Sequence, residues 1–173
     1  FLQEEVDTGK IILQEKIRIG VNDNAGIIHD KLAEVGAELL LKTLNQIESG
    51  KVEMLAQSDS LATPAPKIFK EDCIINWNQP AKKIHDHIRS LSPYPGAFTR
   101  LNSKMFKIFS SNLSEKQSNS EAGTIEVIDK RLYVNTNNKL LELLQIQLEG
   151  KRRLSASEFL AGHPGLNGTK LSI

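Results

Sequence analysis

The sequence predicts a strand and a long helix, followed through a linker by a mainly β domain, a small and partly open β-barrel of OB-like type with one helix. Apolar residues recur at helical spacing up to Gly50, prolines and small polar residues fill 51–72, and short apolar runs alternate with turn residues beyond Ala97. The expected organisation is therefore a first domain over 1–50, a linker over 51–72 and a second domain over 73–173.

The first domain is predicted from one alternating segment and one amphipathic segment. Residues 11–19 alternate apolar and polar side chains, which predicts a strand ending at Gly20. The helix that follows is predicted to end at a Gly50 C-cap and to carry an apolar stripe of Ile27, Ile28, Leu32, Val35, Leu39, Leu40 and Leu44. One strand and one helix cannot bury this stripe, so we expect an exposed apolar patch and self-association through the face of residues 11–50.

The second domain is predicted to open with a short strand at Ile74–Trp77 and one helix. Asn78 is the expected N-cap, and the buried helix face should be Ala81, Ile84, Ile88 and Leu91. Five strands should follow, at 97–101, 105–110, 124–128, 132–135 and 140–148, with turns at 102–104 and 129–130. We expect a mobile loop over 114–122, a capping box between Ser155 and Glu158, and a frayed tail from Gly162.

The amino-acid composition limits the classes of protein to which the chain can belong. With 39% hydrophobic and 25% charged residues the chain is typical of a globular protein, and no apolar run reaches the roughly 18 residues of a membrane span. The single Cys73 cannot form an intrachain disulfide and is expected in the core, and the four histidines are scattered without zinc spacing. We therefore expect a cytoplasmic protein with no metal and no membrane contact.

Charge is distributed unevenly between the two halves. Residues 1–72 contain 8 Lys and Arg against 13 Asp and Glu, whereas residues 73–173 contain 14 against 8. The basic second half suggests a polyanionic partner, and a solvated basic face is the alternative.

The stretch Glu4 to Lys10 contains the acid most suited to chemistry, Asp7. Thr8 and Gly9 directly follow this aspartate, and the three residues favour a turn, because Gly accepts positive φ and the carboxylate can accept backbone N–H bonds. Asp7 is therefore either a turn-capping residue or a catalytic acid or base, and the spacing alone does not decide between them.

Three stretches carry a resemblance to a known family: VDTGKIILQ at 6–14, INWNQPAKKIHDHIRSLSPYPGAFT at 75–99 and GKRRLSASEFL at 150–160. They resemble the formyltransferases that use 10-formyltetrahydrofolate and, within these, the methionyl-tRNA formyltransferase family. The Pro-x-Pro-Gly-Ala part is shared with nucleotide-sugar formyltransferases, whereas the third stretch favours the tRNA family.

The resemblance implies that residues 1–50 are the last strand and helix of a Rossmann-like catalytic domain. Asp7 then occupies the family's catalytic aspartate position, and Glu4, Glu5 and Val6 lie where its folate-binding loop runs. The implied cosubstrate is 10-formyltetrahydrofolate, with no metal. The family's catalytic Asn and His lie upstream of this motif, so we expect a C-terminal portion that is inactive alone and belongs to a monomeric full-length enzyme.

The implied partner is initiator methionyl-tRNA. The expected phosphate contacts are Arg89, Arg100, Lys104, Lys107, Lys151, Arg152 and Arg153, followed by Lys82 and Lys83. Tyr94, Phe98 and Trp77 could stack on bases, but core packing is the better expectation for Trp77 and Phe98.

Two other functions remain open at this point. One is an OB-like RNA-binding module without chemistry, and the Asp7 stretch argues against it because such a module needs no part of a folate site. The other is a sugar or nucleotide-sugar formyltransferase, which the stretch at 150–160 and the basic second half disfavour.

Overall fold

A computed structural model of the chain describes Glu4 and residues 6–172, which form two compact units. The first unit contains the described residues up to Gly20 together with Ile27–Lys67. The second contains Val21–Gly26 together with the described chain from Ile68 onward.

Helix α1, Ala25–Glu48, confirms the long helix predicted from sequence. It ends as expected at Gly50, whose φ of 67° lies in the left-handed region. The Gly50 N–H donates to the Ile47 carbonyl (3.1 Å) and the Lys51 N–H to the Gln46 carbonyl (3.0 Å). This is a Schellman motif, which satisfies carbonyl groups that the last helical turn leaves without partners.

The strand predicted over 11–19 is absent from the structure. Only Ile11 pairs, in an antiparallel bridge with Leu55 whose two N···O distances are 2.9 and 2.8 Å. Alternation of apolar and polar side chains specifies which face a strand would bury, but a strand also needs a hydrogen-bonding neighbour along its length. No residue of the predicted stripe on α1 is buried, and part of it is exposed, with Leu40 and Leu44 more than half exposed and Ile28, Val35 and Leu39 half-buried.

The second unit is built on an antiparallel sheet whose five long strands match the predicted ones. The strand order is β1-β2-β5-β4-β3, and a short β6 pairs with β5. β2 continues seven residues beyond its predicted end. The strands are β1 Ala97–Leu101, β2 Lys104–Gln117, β3 Ile125–Ile128, β4 Arg131–Asn135, β5 Lys139–Leu148 and β6 Leu154–Ser155.

Helix α2, Ala81–Ser90, packs against β2 and buries the predicted face of Ala81, Ile84, Ile88 and Leu91. The predicted N-cap at Asn78 is wrong, because Pro80 holds the cap position and Asn138 Oδ1 accepts the Ala81 N–H at 3.0 Å. The short strand predicted at 74–77 is reduced to one bridge between Ile74 and Phe98. Cys73, Trp77 and Phe98 are buried, as predicted.

A further helix, α3 (Ala156–Gly162), gives the second unit two complete helices where the sequence predicted one. Its N-terminus confirms the predicted capping box. Ser155 Oγ accepts the Glu158 N–H (3.2 Å) and Glu158 Oε2 accepts the Ser155 N–H (2.9 Å). The Ser155 N–H, together with the Ser155 hydroxyl, donates to this carboxylate and holds the pKa of the Glu158 carboxyl below its ordinary value.

The prediction of a frayed tail is wrong for residues 163–172, which pack against the second unit, and Ile173 lies outside the described residues. Ser172 exchanges two backbone hydrogen bonds with Arg100 on β1, and Lys170 pairs with Thr124 next to β3. Leu166 and Leu171 are buried in the core. The tail therefore satisfies the outer edges of both β1 and β3, where unpaired backbone groups would otherwise face water.

Candidate functional site

The turn around Asp7 is held by a side chain from a distant part of the first unit. Asp7 has a φ of 60°, in the left-handed region. Gln57 Nε2 donates to the carbonyl oxygen of Asp7 at 2.8 Å and to that of Gly9 at 2.7 Å. The bridge between Ile11 and Leu55 brings Gln57 into this position. The segment after α1 thus folds back and fixes the turn.

The described residues of the predicted folate loop lie at the surface. Glu4, Val6 and Asp7 are all exposed, and Glu5 falls outside the described residues. An exposed turn gives a carboxylate access to a substrate but does not enclose a folate molecule, whose binding requires a concave wall. The described residues of this turn therefore do not form a folate cavity by themselves.

A second candidate site is one face of the sheet in the second unit. Paired residues of antiparallel strands share a face, so the pairs Phe98 with Lys107 and Arg100 with Met105 point to the same side. Phe109 lies at a register shift of β2 between Ile108 and Ser110, and its ring joins this side because Phe109 Cε1 and Lys107 Cδ lie 2.8 and 3.5 Å from the same Cβ position at Gly96. We call this surface the β1–β2 face: Phe98, Arg100, Met105, Lys107 and Phe109.

Three predicted cations lie on or against the β1–β2 face, and each is held by a specific contact. Lys107 Nζ donates to the Pro95 carbonyl at 2.9 Å. Arg153 places its Cζ 3.4 Å from the centre of the Phe109 ring. Arg100 Nη1 donates to the Ser103 carbonyl at 3.0 Å. Each contact fixes a long side chain that would otherwise sample many rotamers.

The remaining predicted cations lie elsewhere in the second unit. Lys104 begins β2 opposite Leu101, at the tip of the hairpin. Lys151 and Arg152 are exposed on the turn after β5, where an Arg152 Nη2 lies 3.4 Å from Glu158 Oε1. Lys83 and Lys82 are exposed on α2.

Arg89 is engaged inside the second unit. Its Nε donates to Asp86 Oδ1 at 2.8 Å and its Nη1 to the Asp23 carbonyl at 2.9 Å. Burial tends to raise the pKa of the Asp86 carboxyl, but hydrogen bonds from Lys82 and Arg89 outweigh it and leave the pKa lowered. Arg89 therefore anchors residues 21–26 to α2.

The two histidines of α2 both interact with other residues of the second unit. His85 is buried and its ring nitrogens contact Ser111 Oγ (3.0 Å) and the Val21 carbonyl (3.1 Å). Because a carbonyl only accepts, Nε2 donates to Val21, and the Ser111 hydroxyl, which can donate or accept, is the partner of Nδ1. Burial lowers the pKa of His87. Hydrogen bonds with the backbone of Cys73 and Ile74 raise it again, but only in part.

Two negative findings apply to the described part of the chain. Residue 4 and residues 6–172 contain no group of three or more His, Cys, Asp and Glu side chains arranged to hold a metal ion. Over the same residues, no helix combines the length and apolar character needed to cross a bilayer.

Comparison with known proteins decides the family. The sequence profile "Formyl transferase, C-terminal domain" matches residues 67–164, which is more than half of the chain. This chain belongs to the formyltransferase family. The matched region contains the whole sheet, α2 and α3 of the second unit.

Curated relatives extend the similarity beyond the matched region. Methionyl-tRNA formyltransferase of Syntrophomonas wolfei is 44% identical over 171 residues, which cover 96% of this chain and 54% of that protein. The protein of the same name from Dictyoglomus turgidum is 45% identical over 166 residues, covering 94% and 53%. The chain thus spans about half the length of these relatives.

Solved structures share the fold at low sequence identity. HypX from Aquifex aeolicus in complex with tetrahydrofolic acid has a TM-score of 0.69 at 19% identity, over 91% of this chain and 28% of that one. WlaRD, a sugar 3N-formyl transferase, has a TM-score of 0.62 at 19% identity, over 87% and 53%. At such identity the likeness shows the fold and does not distinguish between acceptors.

Proposed function

We propose that the chain is the C-terminal part of a methionyl-tRNA formyltransferase, and that its second unit binds initiator tRNA. The observation that carries this proposal is the 44% identity to a methionyl-tRNA formyltransferase along 96% of the chain. In this proposal residues 1–50 end a Rossmann-like catalytic domain, 51–72 form the linker and 73–173 form an OB-like tRNA-binding domain.

The proposed reaction moves a formyl group from 10-formyltetrahydrofolate to the amino group of methionine on the tRNA. The amine must attack as the free base and the tetrahedral oxyanion must be stabilised. Asp7 is the residue of this chain proposed to accept protons, and Glu4, Glu5 and Val6 to border the folate. The surface position of the described turn means that the other walls must come from outside these residues.

Binding of tRNA is proposed to use the β1–β2 face together with Arg153. Arg100, Lys107 and Arg153 supply the positive charge, and Lys104, Lys151 and Arg152 extend it along the neighbouring turns. Each phosphate contact releases condensed counterions, so the affinity should fall steeply with salt.

The exposed stripe on α1 is proposed to cause self-association of the 173-residue chain. Leu40, Leu41 and Leu44 give it exposed apolar area on one side of a long helix. Sedimentation velocity should show concentration-dependent dimers, and Leu40→Gln with Leu44→Gln should restore the monomer. A wild-type chain that stays monomeric at high concentration would contradict this expectation.

The decisive experiment is titration of the chain with initiator tRNA and with a matched elongator tRNA at two salt concentrations. Salt-sensitive binding to both supports the tRNA-binding assignment, and tighter binding of the initiator locates part of the discrimination in this chain. Absence of binding at low salt refutes the assignment. The same preparation, supplied with 10-formyltetrahydrofolate and methionyl-tRNA, should show no turnover above background.

A further inference from the structure

The turn at Tyr94–Gly96 packs directly on two side chains of the β1–β2 face. Gly96 has a φ of 86°, and a Cβ there would lie 2.8 Å from Phe109 Cε1 and 3.5 Å from Lys107 Cδ. The first distance is too short for any real side-chain carbon, and the Phe109 ring beneath is buried. Glycine at this position therefore lets the backbone lie against Phe109 and Lys107.

The ring of Phe109 packs against the guanidinium of Arg153. The ring is only 4% exposed, with the turn at Gly96 on one part of it and the guanidinium of Arg153 over its face at 3.4 Å. Stacking uses the flat face of a guanidinium and leaves its N–H groups at the rim of the plane. Two of these N–H groups can donate parallel hydrogen bonds to two oxygens of one phosphate.

Lys107 is oriented by the same turn. One of its three N–H donors bonds to the Pro95 carbonyl, which leaves two for a ligand. Lys107 and Phe109 are two residues apart on β2, and both side chains lie under Gly96. Among residues that the structure describes, no acidic side chain lies within ion-pair distance of Lys107 or Arg153.

We propose that Lys107 and Arg153 form a subsite for successive phosphates of an RNA backbone, and that Phe109 is a positioning residue that acts through Arg153. The turn at Pro95 and Gly96 fixes the geometry of both cations. This inference rests on the proposed tRNA binding and goes further by assigning a phosphate subsite and the residue that orients it.

The test measures binding of fluorescently labelled tRNA transcripts by the 173-residue chain over a series of KCl concentrations. Arg153→Gln and Lys107→Gln should each weaken binding and reduce the slope of log K against log salt by about one. Phe109→Leu should weaken binding about two- to fivefold by removing the ring under the guanidinium. Arg153→Lys, which keeps the charge but not the planar stack, should weaken binding without changing the slope.

A double-mutant cycle separates positioning from a general structural effect. If Phe109 acts through Arg153, Phe109→Leu should change affinity less than about 1.7-fold, the limit within which independent effects add, in the Arg153→Gln background. Lys130→Gln is the matched control, since it removes the same charge from an exposed turn between β3 and β4. Circular dichroism and thermal melting establish that each variant is folded.

The outcomes are distinguishable. Equal losses from Lys130→Gln and Arg153→Gln would show that only net charge matters and would overturn the subsite. An equal loss from Phe109→Leu with and without Arg153 would overturn its positioning role. Wild-type protein that shows no salt-sensitive RNA binding would refute the proposed function and the subsite together.

Discussion

Asn135 offers the sharpest test of how the second unit is held together. Its side chain is fully buried at the end of β4. The amide oxygen Oδ1 accepts three hydrogen bonds, from Ser118 Oγ (2.8 Å), the Asn119 N–H (3.2 Å) and the Ser120 N–H (3.1 Å). The loop that the sequence predicted to be mobile is therefore tied to the sheet through one oxygen, and residues 114–117 of it lie within β2.

The amide nitrogen of Asn135 completes the link. Nδ2 donates to the Thr124 carbonyl at 3.0 Å and to Glu126 Oε1 at 2.8 Å. A buried hydrogen bond contributes about 1 kcal/mol net, so five bonds together contribute about 5 kcal/mol. Because Asn119 and Ser120 are exposed and can bond to water instead, we expect Asn135→Ala to cost about 3 kcal/mol. Urea unfolding at pH 7 should show this as a lower midpoint at an unchanged slope.

Asn135→Asp checks the direction of each bond. The substitution keeps the oxygen that accepts from the loop but replaces the donor with a second carboxylate oxygen facing Glu126. Burial and the neighbouring carboxylate should raise the pKa of the new group, so the folded state should bind more protons than the unfolded state. Its stability deficit against wild type should therefore shrink from pH 7 to pH 5. A cost below 1 kcal/mol for Asn135→Ala, well under the buried-bond estimate, or a pH-independent deficit for Asn135→Asp, would refute the reasoning.

Three further predictions address other contacts. Burial lowers the pKa of His87, so the unfolded state takes up a proton at a higher pH than the folded state. The free energy of unfolding of the wild type should therefore fall as the pH drops below about 6.5. In urea unfolding, His87→Leu should flatten this pH dependence. Leu171→Ala should cost about 2–4 kcal/mol in the same assay, and the partly exposed Leu144→Ala much less. Gln57→Leu should speed amide exchange in the turn at 8–10 about tenfold by removing two hydrogen bonds, with the exposed Gln14→Leu as control.

The sheet could be predicted from sequence because its turns are local. The residues Asn102 and Ser103 join β1 to β2, and Asp129 and Lys130 join β3 to β4. All four have positive φ, between 49° and 66°, as two-residue hairpin turns require. Polar turn residues between two alternating runs therefore indicated both the position of each turn and the strands that flank it.

The tail and the loop at 118–120 could not be predicted because their partners are distant in sequence. Thr99 Oγ1 bonds to the Ser172 carbonyl across 73 residues, and Ser118 bonds to Asn135 across 17. Small polar residues give no periodic signal for such pairing, so both segments had the composition of solvated chain. The prediction of a strand over 11–19 was wrong for the opposite reason: its pattern was local, but among the described residues only Leu55 pairs with this segment, through Ile11.

The candidate sites were predicted by residue type and not by geometry. Asp7 stood out through its turn and its resemblance to a family motif, but nothing near it indicated Gln57, which lies 50 residues away. Phe109 follows Phe106 and Ile108 in a run that indicates core, and its partner Arg153 belongs to a basic stretch that could equally be solvated. Gly96 was the available signal, because glycine between a proline and an apolar strand suggests a close backbone approach.

Arg89 and Arg153 show why residue type alone does not identify a phosphate contact. Arg89 gives its donors to Asp86 and to the Asp23 carbonyl, so moving it to a phosphate would break bonds that are already made. Within the part of the chain that the structure describes, Arg153 contacts only the Phe109 ring and keeps its donors for a ligand. Arg89→Gln should therefore lower stability by about 1–3 kcal/mol and leave the salt slope of RNA binding unchanged. Arg153→Gln should leave stability unchanged and reduce the salt slope. If Arg89→Gln reduced the slope as much as Arg153→Gln at unchanged stability, charge rather than preorganisation would govern this surface.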